Sequence, residues 1–246
     1  MIIFSYDGSF SGLLTAIYAA YYSDTKPQQI VPVGDISTNL FTTPIHISTD
    51  ELKAEKVLNG IKQKISSQAM RHVYYAFLSE TKDASTLIYQ YLQLGFRIGK
   101  QVDYMLTDNC VHNIHQLYQK VGKERHRLLG LVRFQELEGG VYYATIEPDH
   151  NVVTLLAPHF ASRLRGQSWI IHDLKRGLAV LFNKQEWIVT LDQLQSELVR
   201  SKEEARFQSL WQTFFENISI KERSNPKLQR QFMPRRYWDN LVEKVK

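Results

Sequence analysis

The chain has one cysteine, Cys110, among its 246 residues. That excludes an internal disulfide, a cysteine-rich zinc site and a cysteine-ligated iron–sulfur cluster within the chain. A lone thiol beside the apolar Val111 reads as a small core residue. Seven prolines and twelve glycines are too few for a disordered or fibrous protein. No apolar run approaches the ~20 residues of a membrane helix. The opening Met1–Ser9 meets an acid at Asp7 and lacks the basic start and small-residue cleavage site of a signal peptide, so cytoplasmic residence is expected. Walker A, GxGxxG, GxSxG and HExxH patterns are missing as well.

Excess charge is also missing from most of the chain. The formal net charge is +5, and the segment Lys221–Trp238 carries all of it, with six Lys/Arg against Glu222. A basic segment that also contains Phe232, Tyr237 and Trp238 suits a polyanion with flat faces, meaning nucleic acid. Lys120, Lys123, Arg125, Arg127 and Arg133 form a second basic region in which Glu124 is the nearby acid. Together the two regions predict a surface of positive potential.

At 43% hydrophobic, the chain has enough apolar content for one large domain or two tightly joined ones. Ile2–Tyr6 reads as a strand, with Asp7 or Ser9 capping a helix that buries Phe10, Leu13, Leu14, Ile17, Tyr18 and Tyr21. Residues 24–44, with three prolines, read as a long loop. Helical periodicity follows in stretches from Leu52 to Phe96 and again over 108–130. Leu129–Leu137 and Val141–Glu147 form a hairpin around Glu138-Gly139-Gly140. Asp149 opens a helix that Pro158 kinks or ends. Trp169–Asp173 and Leu178–Phe182 flank Lys175-Arg176-Gly177 as a second hairpin, and 191–217 return to helix. The pattern predicts an α+β fold: a mainly antiparallel sheet of hairpin, helix and hairpin, wrapped by helices, with a helix-rich N-terminal part and C-terminal helices. A boundary is placed near residue 81, giving a tightly joined N-terminal region (1–81) and a core domain (82–246).

Four constellations can carry chemistry. His112, His115, Gln119, Lys123 and His126 share the polar face of one helix; His112 and His115 can share a metal, or the face is simply polar. Glu147, Asp149 and His150, with Asp173 from the second hairpin, can hold a hard cation for phosphodiester hydrolysis. Capping by Asp149 is the simpler account of that residue. His159 and Arg163 lie one turn apart and suit an anion, and Lys175-Arg176 suits a phosphate or an ordinary turn.

The blocks Arg125-His126-Arg127, Arg133-Phe134, Ile146-Glu147-Pro148-Asp149-His150-Asn151, Leu156-Ala157-Pro158-His159-Phe160-Ala161 and Met233-Pro234-Arg235-Arg236-Tyr237-Trp238 resemble an uncharacterised bacterial family. That family is described as acting in DNA metabolism or DNA repair. The resemblance is strongest from about residue 82 to the end. It implies work on DNA beside a radical-SAM DNA modification or repair protein, and related copies are fused to uracil-DNA-glycosylase-like domains. It carries over no catalytic residue.

The resulting expectation is an accessory protein that binds DNA through Arg223, Lys227, Arg230, Arg235, Arg236, Tyr237 and Trp238. His126, Arg127, Arg133, His159, Arg163, Lys175 and Arg176 extend that surface. No cofactor is expected. A divalent metal enters only if Glu147, Asp149, His150 and Asp173 form a DNA-directed hydrolase, and a further alternative makes the tail a protein-docking element without DNA affinity.

Overall fold

The computed structural model describes residues 1–36, 42–191, 199–218 and 225–244. The chain divides into two compact units, Met1–Gly122 and Lys123–Lys246.

The first unit holds a three-stranded parallel sheet in the order β2-β1-β3, built from β1 (Ile2–Tyr6), β2 (Gln29–Pro32) and β3 (Thr43–His46). Four of the five β1 residues are buried, as expected of a central parallel strand. Strand β2 and the start of β3 therefore lie in the stretch read as loop. Each strand has four residues, lies at a sheet edge, and tolerates a proline there (Pro32 and Pro44), because an edge strand has amides that need no ladder partner.

Helix α1 (Phe10–Tyr22) follows β1 through a tight cap. Ser9 Oγ accepts the Gly12 amide at 2.9 Å, while Asp7 accepts the Ser9 amide at 2.9 Å and the Thr49 hydroxyl at 2.8 Å. A Cβ at position 12 would sit 2.1 Å from Asp7 Oδ1, so this junction requires glycine. Helices α2 (Glu51–Gly60), α3 (Ser67–Leu78), α4 (Ala84–Ile98) and the first turns of α5 (Asn109–Leu131) complete the unit around a core that includes Leu13, Ile30, Ile61, Val73, Tyr91 and Ile114. Cys110 packs against this core, and its thiol donates to the Leu87 carbonyl at 3.3 Å.

The second unit is built on a five-stranded mixed sheet, β4-β5-β6-β7-β8. Strands β4 (Gln135–Glu136) and β5 (Tyr142–Ile146) form the first hairpin, shorter than expected because α5 runs on to Leu131. Helix α6 (Val153–Arg163) crosses over to β6 (Trp169–Asp173), which lies parallel to β5. Strands β7 (Leu178–Phe182) and β8 (Trp187–Leu191) continue the sheet antiparallel. The chain is thus α+β, as its pattern predicts, with an added edge strand β8.

Pro158 neither ends nor breaks α6. It is exposed, and its missing amide concerns one ladder bond on a half-exposed side. At the core of this unit, Trp169 stacks on Phe182 with centroids 5.2 Å apart and meets Phe134 and Phe160 edge-on. Helices α7 (Lys202–Ile218) and α8 (Pro226–Phe232) and a 3-10 turn at Arg235–Asn240 follow. Among the described residues, no helix is long and apolar enough to cross a membrane.

Candidate functional site

In the second unit, the blocks singled out in the sequence meet at the loop Glu147–Asn151, and an acid organises them. Glu124, on α5, is 2% exposed. Its Oε1 accepts the Asp149 amide at 2.9 Å and the Tyr237 hydroxyl at 2.6 Å, and its Oε2 accepts the His150 amide at 2.8 Å. Burial alone would raise this carboxyl, but these hydrogen bonds outweigh it and hold the group below its ordinary range. Burial, and then the hydrogen bond to Glu124 and its charge, push the Tyr237 phenol up.

The turn between β6 and β7 grips the loop from its other side. Arg176 donates to the carbonyls of Pro148 at 3.1 Å and Asp149 at 2.8 Å, and Lys175 Nζ reaches the Asp149 carbonyl at 3.4 Å. Arg176 also pairs at 2.9 Å with Asp173, which is fully buried. Burial lifts the Asp173 carboxyl above its ordinary value despite that partner. Loop amides and carbonyls that would otherwise lose water are therefore matched by fixed side chains.

The C-terminal 3-10 turn locks onto the same place. Arg236 pairs with Asp149 at 2.9 Å, approaches Glu124 at 3.4 Å, and lies over the Tyr237 ring at 4.7 Å. Asp149 thus spends its carboxylate on Arg236, and the cap position of α6 falls to Val152, with no side-chain cap bond. Arg133, expected on the DNA surface, instead forms a two-point pair with Glu243 at 2.7 and 3.3 Å. Trp238 is half-buried, and its indole N–H donates to the Met233 carbonyl at 3.0 Å.

Other predicted residues remain at the surface. Lys227, Arg230 and Arg235 are exposed and make no ion pair among the described residues. Arg235 lies over the Trp238 ring at 5.8 Å. His126, Arg163 and Lys175 are exposed, Arg127 is half-buried, and His159 packs edge-on against Phe160 at 5.0 Å. Arg223 lies outside the described residues.

Glu147 is exposed at the end of β5. With Asp149, His150 and Asp173 it does not form a group of three ligand atoms close enough for one ion; among the described residues the only such group is His72, Asp103 and His115, in the first unit. His112 and His115 separate accordingly: His112 is exposed and shares a 2.7 Å hydrogen bond with Gln116, while His115 turns toward His72.

The residues that sequence reasoning missed are Glu124 and Glu243. A single acid within a basic helical stretch was the available signal for Glu124, since buried arginines and amides need an anion. Glu243 had none.

A search of the curated proteins finds no match to the chain. A family model described as Domain of unknown function (DUF4130) matches residues 82–243, about two thirds of the sequence. It spans the Glu124 hub, the Glu147–Asn151 loop, the β6–β7 turn and the Arg236–Tyr237 clamp, and the chain belongs to this family.

Proposed function

We propose that the chain is a DNA-binding accessory protein, in which the last helices of the second unit contact the phosphates and a radical-SAM partner supplies the chemistry. The observation that carries the DNA reading is the exposure of Lys227, Arg230 and Arg235 without ion pairs among the described residues. Trp238, beneath Arg235, offers an aromatic edge for a base. The partner enters through the resemblance described above, as does a uracil-DNA-glycosylase-like protein.

The geometry changes the size of the expected contact. Arg236 is engaged with Asp149 and Glu124, which leaves four of the five expected charges for DNA: Lys227, Arg230, Arg235 and Arg223, the last outside the described residues. For four phosphates, log K against log salt should fall with a slope of about −2.8 to −3.6, depending on strandedness. A salt series with single-stranded, duplex and uracil-containing DNA measures it, with and without the partner. Salt-insensitive binding, or no binding, contradicts the reading.

A second reading, a protein-docking adaptor, draws on α7. Phe207, Leu210, Trp211, Phe214 and Ile218 are all exposed at helical spacing. Co-purification with a partner that is abolished by Trp211→Ala, in a protein without DNA affinity, would favour it.

A further inference from the structure

We propose that His72, Asp103 and His115 form a zinc-binding site in the first unit, separate from and independent of the DNA reading. His72 comes from α3, Asp103 from the 3-10 turn Gly99–Tyr104, and His115 from α5. One ligand atom from each lies within 4.8 Å of the others. Two ligands of one tetrahedral zinc ion, at ordinary bond lengths, lie about 3.3 Å apart. His72 Nδ1 and Asp103 Oδ1 are already 3.1 Å apart, close to that spacing.

A second, independent observation points to a missing ligand. His115 Nε2 is buried and has no hydrogen-bond partner among the described residues. It lies in a cluster where the His72 and His115 rings are 4.3 Å apart. An orphaned buried nitrogen is costly, and a cation accepting its lone pair removes that cost.

The surroundings are those of a supported metal site rather than of loose surface histidines. Asp103 accepts the Tyr91 hydroxyl at 2.5 Å and the Ser66 hydroxyl at 2.9 Å, which fix the carboxylate. Gln68 sits 2.9 Å from His72 Nε2. With a metal on Nδ1, the His72 proton moves to Nε2 and the Gln68 carbonyl turns to accept it. Burial and the adjacent His115 hold His72 below its ordinary value against the pull of Asp103. Burial does the same at His115. Two imidazoles and one carboxylate suit zinc, and three protein ligands leave a fourth position open for water.

The test uses the full chain, stripped with a chelator and titrated with Zn²⁺ against a competing indicator, with Co²⁺ absorption as a report of coordination. The expected result is one tight ion per chain and a zinc-dependent rise in Tm. His115→Gln and Asp103→Asn should weaken binding by more than the ~10–100-fold that loss of a supporting hydrogen bond costs, and Tyr91→Phe by about that amount. Uptake unchanged in these variants would mean surface histidines bind the ion, and would overturn the site. If the variants fail to fold, the wild-type titration decides alone: no saturable one-to-one uptake and no rise in Tm refutes it.

Discussion

Glu124 accepts donors from the Glu147–Asn151 loop and from the C-terminal turn, and with Asp149 it engages Arg236, which looks free in the sequence. Glu124→Ala would leave two half-buried loop amides and a buried phenol without their acceptor. The expected cost is about 3 kcal/mol or more, read as a lower denaturant midpoint. Its pH dependence has a definite sign. The folded carboxyl lies below its ordinary value of 4.5, so its stabilisation is fully present above about that pH. It is lost as pH falls through the folded value. Asp173 works in the opposite direction, because its folded pKa is raised and acidification relieves the burial of its charge. Glu124→Gln should therefore flatten the acid loss of stability, and in an acid titration followed by circular dichroism its curve should converge on wild type at low pH. Cys110 belongs to the same scale: burial, then Asp108, push its thiol up to about 12, so thiol-directed reagents should label the native chain slowly.

Among the elements, periodicity recovered those with one apolar face. Helix α4 and the Trp169–Phe182 hairpin lie where their patterns predict. The reading failed where pairing rather than pattern makes the element. Strands β2 and β3 have four residues each and exist through parallel pairing with β1, a partner distant in sequence. The continuation of α6 through Pro158 likewise depends on which side of the helix meets solvent. The candidate site was legible as blocks, because Glu147–Asn151, Lys175-Arg176 and Arg236-Tyr237 do converge. The roles of their charges were not, since ion pairing such as Arg133 with Glu243 joins residues 110 positions apart. Gly12 tests the β1–α1 junction: Gly12→Ala would drive a methyl into the Asp7 carboxylate and should cost about 1–3 kcal/mol by thermal melting, although alanine favours helix elsewhere. At the β6–β7 core, Trp169→Ala should cost about 3–5 kcal/mol, seen in the same way.

At the scale of the whole molecule, net charge and available charge differ. The sequence concentrates its +5 in Lys221–Trp238, yet Arg236 neutralises acids within the fold. Only cations that still face water can release counterions from DNA, so folding and binding should separate by mutation. Arg236→Ala removes a partner of Asp149 and Glu124, and should lower Tm while leaving the salt slope of DNA binding unchanged. Lys227→Ala, Arg230→Ala and Arg235→Ala should each leave Tm nearly unchanged. Each should make the slope shallower by about 0.7 to 0.9, according to strandedness. Measuring both quantities on the four variants sorts each of these four cations into one of two roles. If Arg236→Ala changes the slope as much as Arg235→Ala does, the clamp itself opens onto DNA, and the division between structural and binding charge drawn from its ion pairs fails.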